Sequence, residues 1–284
     1  MSQKVESVAI LGGGFMGAGI AESASIAGVP VVIRELSEFT DAARARLEKS
    51  LGAAVTRGKI DEARRDAALA NITFTSELKD VAGADLVIEA VPESLDLKLS
   101  IMKALDEIVS PNTILASNTS AIPIAQLGGV VSHPERVVGL HFFSPVPVMK
   151  LVEVVRALDT SDETVAAVTE FAQRLGKHAI ETKDRSGFIV NFLLTPYLMA
   201  AVRMYEEGFA SREDIDEGMR LGAGHPMGPL TLCDFIGLDV LNAVCVSLYE
   251  EFKRDEYAPP PLMKRMIAAG RLGRKSGRGF YEYA

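Results

Sequence analysis

The sequence has few cysteines, no excess of basic residues and no long uninterrupted apolar run, and each absence argues against a class of protein. Only two cysteines occur in 284 residues, so we expect neither a disulfide framework nor a cysteine-ligated metal, and we predict no metal site. Acidic residues outnumber basic ones by 38 to 30, for a net charge of −8, and no basic stripe is present. Nucleic acid is therefore an unexpected partner.

The distribution of apolar residues favours a cytoplasmic protein. The N-terminus lacks the apolar core of a secretion signal, because Lys4 and Glu6 interrupt it. The longest apolar stretch, residues 188–204, contains Asn191 and Pro196, which favours a buried helix over a membrane span. We therefore expect two free, buried thiols in a reducing compartment and no association with a membrane.

The most informative stretch is residues 8–22, VAILGGGFMGAGIAE. An apolar run typical of a buried strand leads into Gly12, Gly14 and Gly17 in the G-x-G-x-x-G spacing, and a small-residue helix is predicted over residues 18–27. In this motif the first glycine permits a tight turn, the second lets the backbone approach a pyrophosphate, and the third allows close packing of helix and strand. The free N–H groups at the start of the helix then favour phosphate.

A second apolar run supports this interpretation. Residues 29–33 are predicted to form the next strand, and Glu35 follows about 20 residues beyond the glycines, where an acid accepts hydrogen bonds from the adenosine ribose. A glycine motif alone could be an ordinary turn. Here the strand, the helix, the second strand and the terminal acid occur in order, which predicts a dinucleotide-binding domain.

Strand and helix signals alternate over the first 185 or so residues, which predicts an α/β fold with a doubly wound, Rossmann-type sheet. A charged region at about 39–70 is predicted to be a pair of helices, broken at Gly58, that stands off the sheet. Beyond Gly187 only helical signals remain, which predicts an all-helical second domain. The expected domains are therefore residues 1–186 and 187–284. Further strands are predicted at 72–75, 85–91, 113–117, 137–143, 151–155 and 179–182, and further helices at 95–109, 163–175, 188–207, 212–221 and 238–254.

A histidine and a glutamate on neighbouring predicted strands indicate chemistry. His141 lies near the end of one strand and Glu153 within the next, and Pro145 and Pro147 between them require a turn. Such a turn could bring the carboxylate against the imidazole, where it would fix the tautomer and stabilise the protonated ring. The alternative that remains open is a strand-end histidine hydrogen-bonded to the backbone.

Other polar residues carry weaker signals. Residues 117–120, SNTS, end a predicted strand at the carboxyl edge of the sheet, where open α/β sheets bind ligands, although a polar loop is also the ordinary outcome there. Asn191 is the one amide in the apolar run FIVNFLL, and a buried amide needs a partner. The remaining histidines, His133, His178 and His225, lie in predicted connections.

These motifs together resemble the L-3-hydroxyacyl-CoA dehydrogenase family, and its short bacterial members look most similar. The segments GGGFMGAGIA, IEAVPESLDLK, SNTS, HFFSPVPVMKLVEV, GFIVN and GAGHPMGPL occur in the family's order, between Val5 and Tyr283. The resemblance implies reversible oxidation of the 3-hydroxyl of an (S)-3-hydroxyacyl-CoA to a ketone, with NAD as the hydride acceptor. It further implies a short-chain substrate such as 3-hydroxybutyryl-CoA, a role in fatty-acid or butanoate metabolism, and a homodimer formed through the helical domain.

The resemblance also assigns roles to residues. His141 matches the family's general base and Glu153 its partner, while Ser120 and Asn191 match the groups that hold the substrate's oxygens. The residues expected to bind the cofactor are Gly12, Gly14, Phe15, Met16, Gly17, Glu35, Glu93, Lys98, Asn118, Ser120 and Lys275.

The charged helical region is expected to contact CoA. Ser50 and Arg57 match the family's CoA contacts, with arginine at a position that is often lysine; the alternative is an ordinary solvated helical face. Two further residues depart from the family's pattern. Ser144 stands where asparagine is usual beside the active site, and Phe192 replaces an arginine that usually follows Asn191, which we expect to change an ion pair at the domain junction.

Two rival interpretations keep the same fold. In the first, the substrate is a free hydroxy acid instead of a CoA thioester, as in gulonate dehydrogenase or its lens-crystallin relative. A free acid would require a fixed cation near the substrate. The residues after His141, FFSPVPVMK, instead match the acyl-CoA branch of the family. A non-catalytic protein could keep the dinucleotide site alone. The complete set of Ser120, His141, Glu153 and Asn191 argues against that possibility.

Overall fold

The computed structural model describes residues 4–283. The chain divides between Asp184 and Arg185 into two compact units.

The first unit is built on one eight-stranded sheet with the order β3-β2-β1-β4-β5-β6-β7-β8. Neighbouring strands are parallel except β6 and β7, which run antiparallel. This order contains the doubly wound 3-2-1-4-5-6 arrangement, and the predicted α/β fold is confirmed. The strands are β1 (Val8–Leu11), β2 (Val31–Arg34), β3 (Ile72–Thr75), β4 (Leu86–Glu89), β5 (Ile114–Ser117), β6 (Val137–Phe142), β7 (Leu151–Arg156) and β8 (His178–Lys183).

Helices flank the sheet, and two of them begin at a side-chain cap. The Asp61 carboxylate accepts a hydrogen bond from the N–H of Arg64 before α3, and the Ser161 hydroxyl accepts one from Thr164 before α6. Each cap satisfies one otherwise unpaired N–H group in the first turn. The helices of this unit are α1 (Phe15–Ile26), α2 (Ser37–Thr56), α3 (Glu62–Ala70), α4 (Leu95–Ile108), α5 (Ile124–Gly128) and α6 (Asp162–Arg174).

The central strands bring polar residues to one edge of the sheet. Every residue of β1, β4 and β5 is buried, as expected for parallel strands covered on both faces. The register aligns Leu11, Glu89 and Ser117 side by side at the carboxyl ends of these strands. Side chains that follow these positions therefore converge on a single edge.

The charged region forms α2 and α3, which pack against α1. Only Ala43, Leu47 and Leu51 of α2 are buried, so most of this helix faces solvent. On its exposed side the guanidinium of Arg44 lies 4.5 Å from the ring centroid of Phe74 in β3.

The second unit is helical, with a core that includes both cysteines as buried free thiols. Two of its helices, which begin at Pro229 and Pro261, are absent from the set predicted from the sequence. Proline suits the first helical turn because its missing N–H would have no partner there. The helices are α7 (Val190–Glu206), α8 (Arg212–Glu217), α9 (Pro229–Ile236), α10 (Leu238–Phe252) and α11 (Pro261–Ala268). A π-helical turn, Gly218–Gly222, follows α8.

Among the described residues, no single helix meets the length and hydropathy needed to cross a bilayer, although α9 and α10, bent by 98°, meet them as a pair.

Candidate active site

His141 and Glu153 form a buried pair at the carboxyl edge of the sheet. They are directly opposite each other in the antiparallel ladder of β6 and β7, so the backbone register sets their side chains together. The Nδ1 atom of His141 lies 2.8 Å from Oε2 of Glu153. The two residues are 4 % and 0 % exposed. With the carboxylate accepting the proton on Nδ1, Nε2 is left as the nitrogen that can accept a proton.

Ser120 faces the other side of the same imidazole. Its hydroxyl oxygen lies 3.1 Å from Nε2 of His141. The preceding loop is held to β6, because the side-chain oxygen of Asn118 accepts a hydrogen bond from the N–H of Phe142 at 2.9 Å. Within the first unit, the structure therefore brings Ser120, His141 and Glu153 into one hydrogen-bonded row.

The turn between β6 and β7 is anchored by a lysine that the sequence analysis missed. The N–H groups of Val148 and Met149 both donate to the carbonyl of Pro145, which closes the turn. The buried ammonium of Lys177 donates to the carbonyls of Val146 and Met149, at 2.5 and 2.9 Å. Burial lowers the pKa of Lys177, although the nearby carboxylate of Glu22 offsets part of this effect. A lysine just after a predicted helix gave no sequence signal for this contact.

The glycine-rich turn has the geometry of a phosphate cradle. Gly12 has φ of +96°, and a Cβ there would lie 2.8 Å from the carbonyl oxygen of Ala90. A Cβ on Gly17 would lie 1.8 Å from the carbonyl oxygen of Gly12, so only glycine fits. Gly14, by contrast, has no atom within 4 Å of a Cβ position. Protein packing therefore does not require glycine at Gly14.

The start of α1 is open to an anion. Gly14 provides no side-chain cap, and the first turn carries no acidic residue, so its N–H groups and positive dipole end remain available. Phe15 is 62 % exposed beside the turn. Met16, also expected to line the cofactor, is partly buried and packs against the core.

Glu35 follows β2 and lies against the glycine-rich turn. Its Oε2 accepts a hydrogen bond from the N–H of Gly13 at 2.7 Å, and its Oε1 accepts one from Leu36 at 2.8 Å. The neighbouring Arg34 donates through Nε to the carbonyl of Ser76 at 3.1 Å. The carboxylate thus lies next to the predicted phosphate site, in a position that suits recognition of a ribose.

A second arginine, missed in the sequence, also reaches this turn. Arg46 of α2 donates through Nη1 to the carbonyl of Gly13 at 2.7 Å. It lies within a run of alternating charges that looks like a solvated helix face, so only the packing of α2 on α1 reveals the contact.

Glu93 and Lys98 belong to a polar cluster that contacts the loop after β5, which contains Thr119 and Ser120. The Lys98 ammonium is 3.2 Å from a Glu93 carboxylate oxygen and 2.6 Å from Oε1 of Glu89. Glu93 also accepts a hydrogen bond from the N–H of Ser120 at 3.2 Å and one from the hydroxyl of Thr119. Glu89 was not predicted to be part of the site, although an acid at the end of the apolar strand LVIE is a visible signal.

The two predicted CoA contacts occupy different environments on α2. Ser50 is partly buried and hydrogen-bonds the carboxylate of Glu22, whose pKa is raised mainly by burial. Arg57 caps the C-terminal end of the helix and is exposed. Of the two residues, Arg57 is the more exposed.

The remaining predicted residues lie in the second unit. Asn191 is the second residue of α7 and is partly exposed, and Lys275 is paired with Asp239 at 2.6 Å. Phe192, which departs from the family's pattern, packs under Arg185, whose guanidinium carbon is 3.6 Å from its ring centroid. Phe252 meets the same ring edge-on, with the two centroids 5.4 Å apart.

The first unit combines a glycine-rich turn with a buried imidazole–carboxylate pair on one edge of the sheet. His141 can take a proton at Nε2, Glu153 can stabilise the resulting charge, and Ser120 can orient an oxygen. This arrangement suits oxidation of a secondary alcohol, in which a proton leaves oxygen and a hydride leaves carbon.

Comparisons with known proteins show which family this chain resembles over nearly its whole length. The family model described as "3-hydroxyacyl-CoA dehydrogenase, NAD binding domain" matches residues 7–185, and the one described as "3-hydroxyacyl-CoA dehydrogenase, C-terminal domain" matches residues 187–283. A 3-hydroxybutyryl-CoA dehydrogenase of Mycobacterium tuberculosis is 50 % identical over the whole of both chains. The human mitochondrial hydroxyacyl-coenzyme A dehydrogenase is 42 % identical over 98 % of this chain and 91 % of its own length.

A solved structure shows the same similarity in three dimensions. The crystal structure of (S)-3-hydroxybutyryl-CoA dehydrogenase from Ralstonia eutropha superposes with a TM-score of 0.94 at 46 % identity. The match covers 99 % of this chain and 100 % of that one.

Proposed function

Because this chain belongs to the 3-hydroxyacyl-CoA dehydrogenase family, an NAD-dependent family of oxidoreductases, we propose that it interconverts (S)-3-hydroxybutyryl-CoA and acetoacetyl-CoA. The observation that carries this proposal is the row of Ser120, His141 and Glu153 beside the glycine-rich turn. Relatives named for the same four-carbon substrate support the short chain length. Such an enzyme would serve fatty-acid or butanoate metabolism.

In the proposed reaction, the protein handles the proton. Ser120 orients the 3-hydroxyl of the substrate, and Nε2 of His141 removes its proton as the C–O bond becomes a carbonyl. NAD, when bound, supplies the hydride acceptor for C3. The Glu153 carboxylate then stabilises the imidazolium, and in the reverse direction His141 returns its proton to the ketone oxygen.

The cofactor is proposed to lie along the glycine-rich turn. Gly12, Gly14 and Gly17 would admit the pyrophosphate at the start of α1, and Glu35 would accept hydrogen bonds from the ribose. The other proposed contacts are Phe15, Met16, Glu93, Lys98, Asn118, Ser120 and Lys275. Among these, Met16 has the weakest support, because it packs against the core.

The second unit is proposed to form a homodimer. We assign Asn191 to the substrate oxygens, and Ser50 and Arg57 of α2 to CoA. Apolar side chains exposed on the second unit support association, because Leu193 and Phe209 are 65 % and 79 % exposed. Light scattering after gel filtration tests the dimer: a mass of one chain would contradict it.

The buried free thiols support a reducing compartment, and we propose the cytoplasm. Fractionation of the producing cells tests this assignment, since recovery outside the cytoplasm would contradict it.

The proposed reaction is tested by following NADH absorbance with acetoacetyl-CoA and with 3-ketoacyl-CoAs of increasing chain length. We expect the highest kcat/KM for acetoacetyl-CoA. Turnover of free 3-hydroxy acids without CoA, at a comparable kcat/KM, would favour the hydroxy-acid alternative, and no turnover of any of these compounds would contradict the proposal.

A further inference from the structure

We propose that Glu89, at the end of β4, is a positioning residue that holds Ser120 against His141. This inference rests on the proposed function, because Ser120 is assigned there to the substrate's hydroxyl. The observation that carries it is that two separate hydrogen-bond routes begin at the Glu89 carboxylate and both end on residues 119–120.

The Glu89 carboxylate is fully buried and fully engaged. It is 0 % exposed, and its Oε1 accepts hydrogen bonds from the Lys98 ammonium at 2.6 Å and from the N–H of Val91 at 2.7 Å. Its Oε2 accepts a bond from the hydroxyl of Ser117 at 2.6 Å. Burial of a carboxylate is costly unless it is paired and hydrogen-bonded, so three donors fix its position.

The first route crosses from β4 to β5. The Ser117 hydroxyl donates its only proton to Glu89, so its oxygen is oriented to accept from elsewhere. It accepts the N–H of Thr119 at 3.2 Å. The orientation of the Ser117 hydroxyl, set by Glu89, therefore determines where the backbone of Thr119 is held.

The second route passes through charged side chains. Lys98, bound to Glu89, lies 3.2 Å from the carboxylate of Glu93. Glu93 in turn accepts the N–H of Ser120 at 3.2 Å and the hydroxyl of Thr119. Glu93 itself is exposed, and Lys98 links it to the buried carboxylate of Glu89.

The two routes restrain the loop at adjacent residues. Thr119 is held by its N–H and its hydroxyl, and Ser120 by its N–H, so the direction in which the Ser120 hydroxyl points is constrained. That hydroxyl is the group 3.1 Å from Nε2 of His141. Loss of the Glu89 charge would weaken both routes at once and loosen this contact.

A simpler role for Glu89 would be to neutralise the buried Lys98. That role predicts loss of stability without a specific effect on Ser120. The two roles are separated by a double-mutant cycle, because coupled residues give non-additive effects whereas independent ones add.

The cycle combines Glu89→Gln with Ser120→Ala and measures kcat and KM with acetoacetyl-CoA and NADH. In the wild-type background we expect Glu89→Gln to lower kcat about 10-fold, with a change in the KM for NADH below about 2-fold. In the Ser120→Ala background the same change should lower kcat by less than about 2-fold. Equal falls in both backgrounds would overturn the proposal.

Ser117→Ala provides a second variant in case Glu89→Gln does not fold, since it cuts one route and keeps the buried charge pair. We expect a smaller fall in kcat that also disappears in the Ser120→Ala background. The matched control is Thr113→Val, at the opposite end of β5, which removes the buried hydrogen bond from its hydroxyl to the carbonyl of Ala84 at 3.0 Å. It should lower Tm to a similar extent and leave kcat unchanged.

Hydrogen exchange of the cofactor-free protein gives a readout that needs no turnover. In Ser117→Ala and Glu89→Gln the amides of residues 118–122 should exchange faster than in the wild type, whereas Thr113→Val should leave them unchanged. If the wild type does not reduce acetoacetyl-CoA, the proposed function fails and this exchange result alone decides the inference. Unchanged exchange in both site variants would overturn it.

Discussion

His141 and Glu153 lie directly opposite each other on antiparallel strands, with Nδ1 and Oε2 2.8 Å apart. The backbone pairing of β6 with β7 sets the two side chains together. The Lys177 ammonium donates a hydrogen bond to the carbonyl of Met149 in the turn that joins the two strands. The backbone pairing of the two strands therefore holds the imidazole against the carboxylate.

Removal of the base should abolish most of the turnover and leave the fold intact. His141→Asn keeps a polar side chain at the end of β6 but cannot accept the proton, so we expect kcat to fall by about 10²–10⁴. Steady-state assays with acetoacetyl-CoA measure the loss, and fluorescence titration with NADH should give an unchanged Kd. A fall below 10-fold would show that another group carries the proton.

The cofactor preference should depend on Glu35. Its carboxylate lies against the glycine-rich turn and would repel a 2′-phosphate, while Arg34 is engaged with the carbonyl of Ser76. We expect NADH to be preferred over NADPH, and Glu35→Ala to reduce that preference at least about 10-fold in kcat/KM. A wild type that uses NADPH as well as NADH would contradict the assignment.

Arg57 should contribute to recognition of the CoA nucleotide. It is exposed at the end of α2, so Arg57→Ala should raise the KM for acetoacetyl-CoA about 5–10-fold through loss of a charged hydrogen bond. For acetoacetyl-pantetheine, which lacks the nucleotide phosphates, the wild type and Arg57→Ala should have the same KM. Arg65→Ala, in neighbouring α3, is the matched control and should leave the KM for each of the two substrates unchanged. An equal effect of Arg57→Ala on both substrates would exclude a contact with the nucleotide.

Glu22 should make stability depend on pH. Burial raises its pKa above the 4.5 expected for a free glutamate, despite the nearby Lys177 and Ser50, so its charged form is disfavoured in the folded state. The folded wild type therefore loses stability as pH rises from 4.5 through the raised pKa. Glu22→Gln carries no charge, so its Tm advantage over the wild type should be larger at pH 8 than at pH 5. Glu48→Gln, exposed on α2, should show no such trend, and an advantage for Glu22→Gln that shrinks with pH would contradict the assignment.

Much of the first unit could be predicted from local sequence. The glycine spacing, the apolar runs of β1 and β4 and the serine cap of α6 are each encoded within a few residues. The helices that begin at Pro229 and Pro261 were missed because their prolines indicated a break, although proline is also favoured at the first helical position.

The polar network beneath the site could be predicted only in part. The turn between their strands indicated that His141 and Glu153 could pair, with a histidine bonded to the backbone as the open alternative. Glu89 contacts Lys98 across a connection and Ser117 across neighbouring strands, so its partners depend on strand order, which local sequence does not encode. Arg46 was missed for the same reason, since its contact with Gly13 follows from how α2 packs.

The central claim is that the Glu153 carboxylate stabilises the protonated imidazole of His141 during proton transfer. It is tested most directly by measuring how kcat depends on pH in Glu153→Gln, in both directions of the reaction. Oxidation needs the neutral imidazole and ketone reduction needs the protonated one, so one group should give opposite pH limbs in the two directions. Glutamine keeps the shape but removes the negative charge that favours the protonated ring. We predict that both limbs move together to lower pH in Glu153→Gln and that kcat falls. Unchanged limbs with kcat near that of the wild type would contradict the claim.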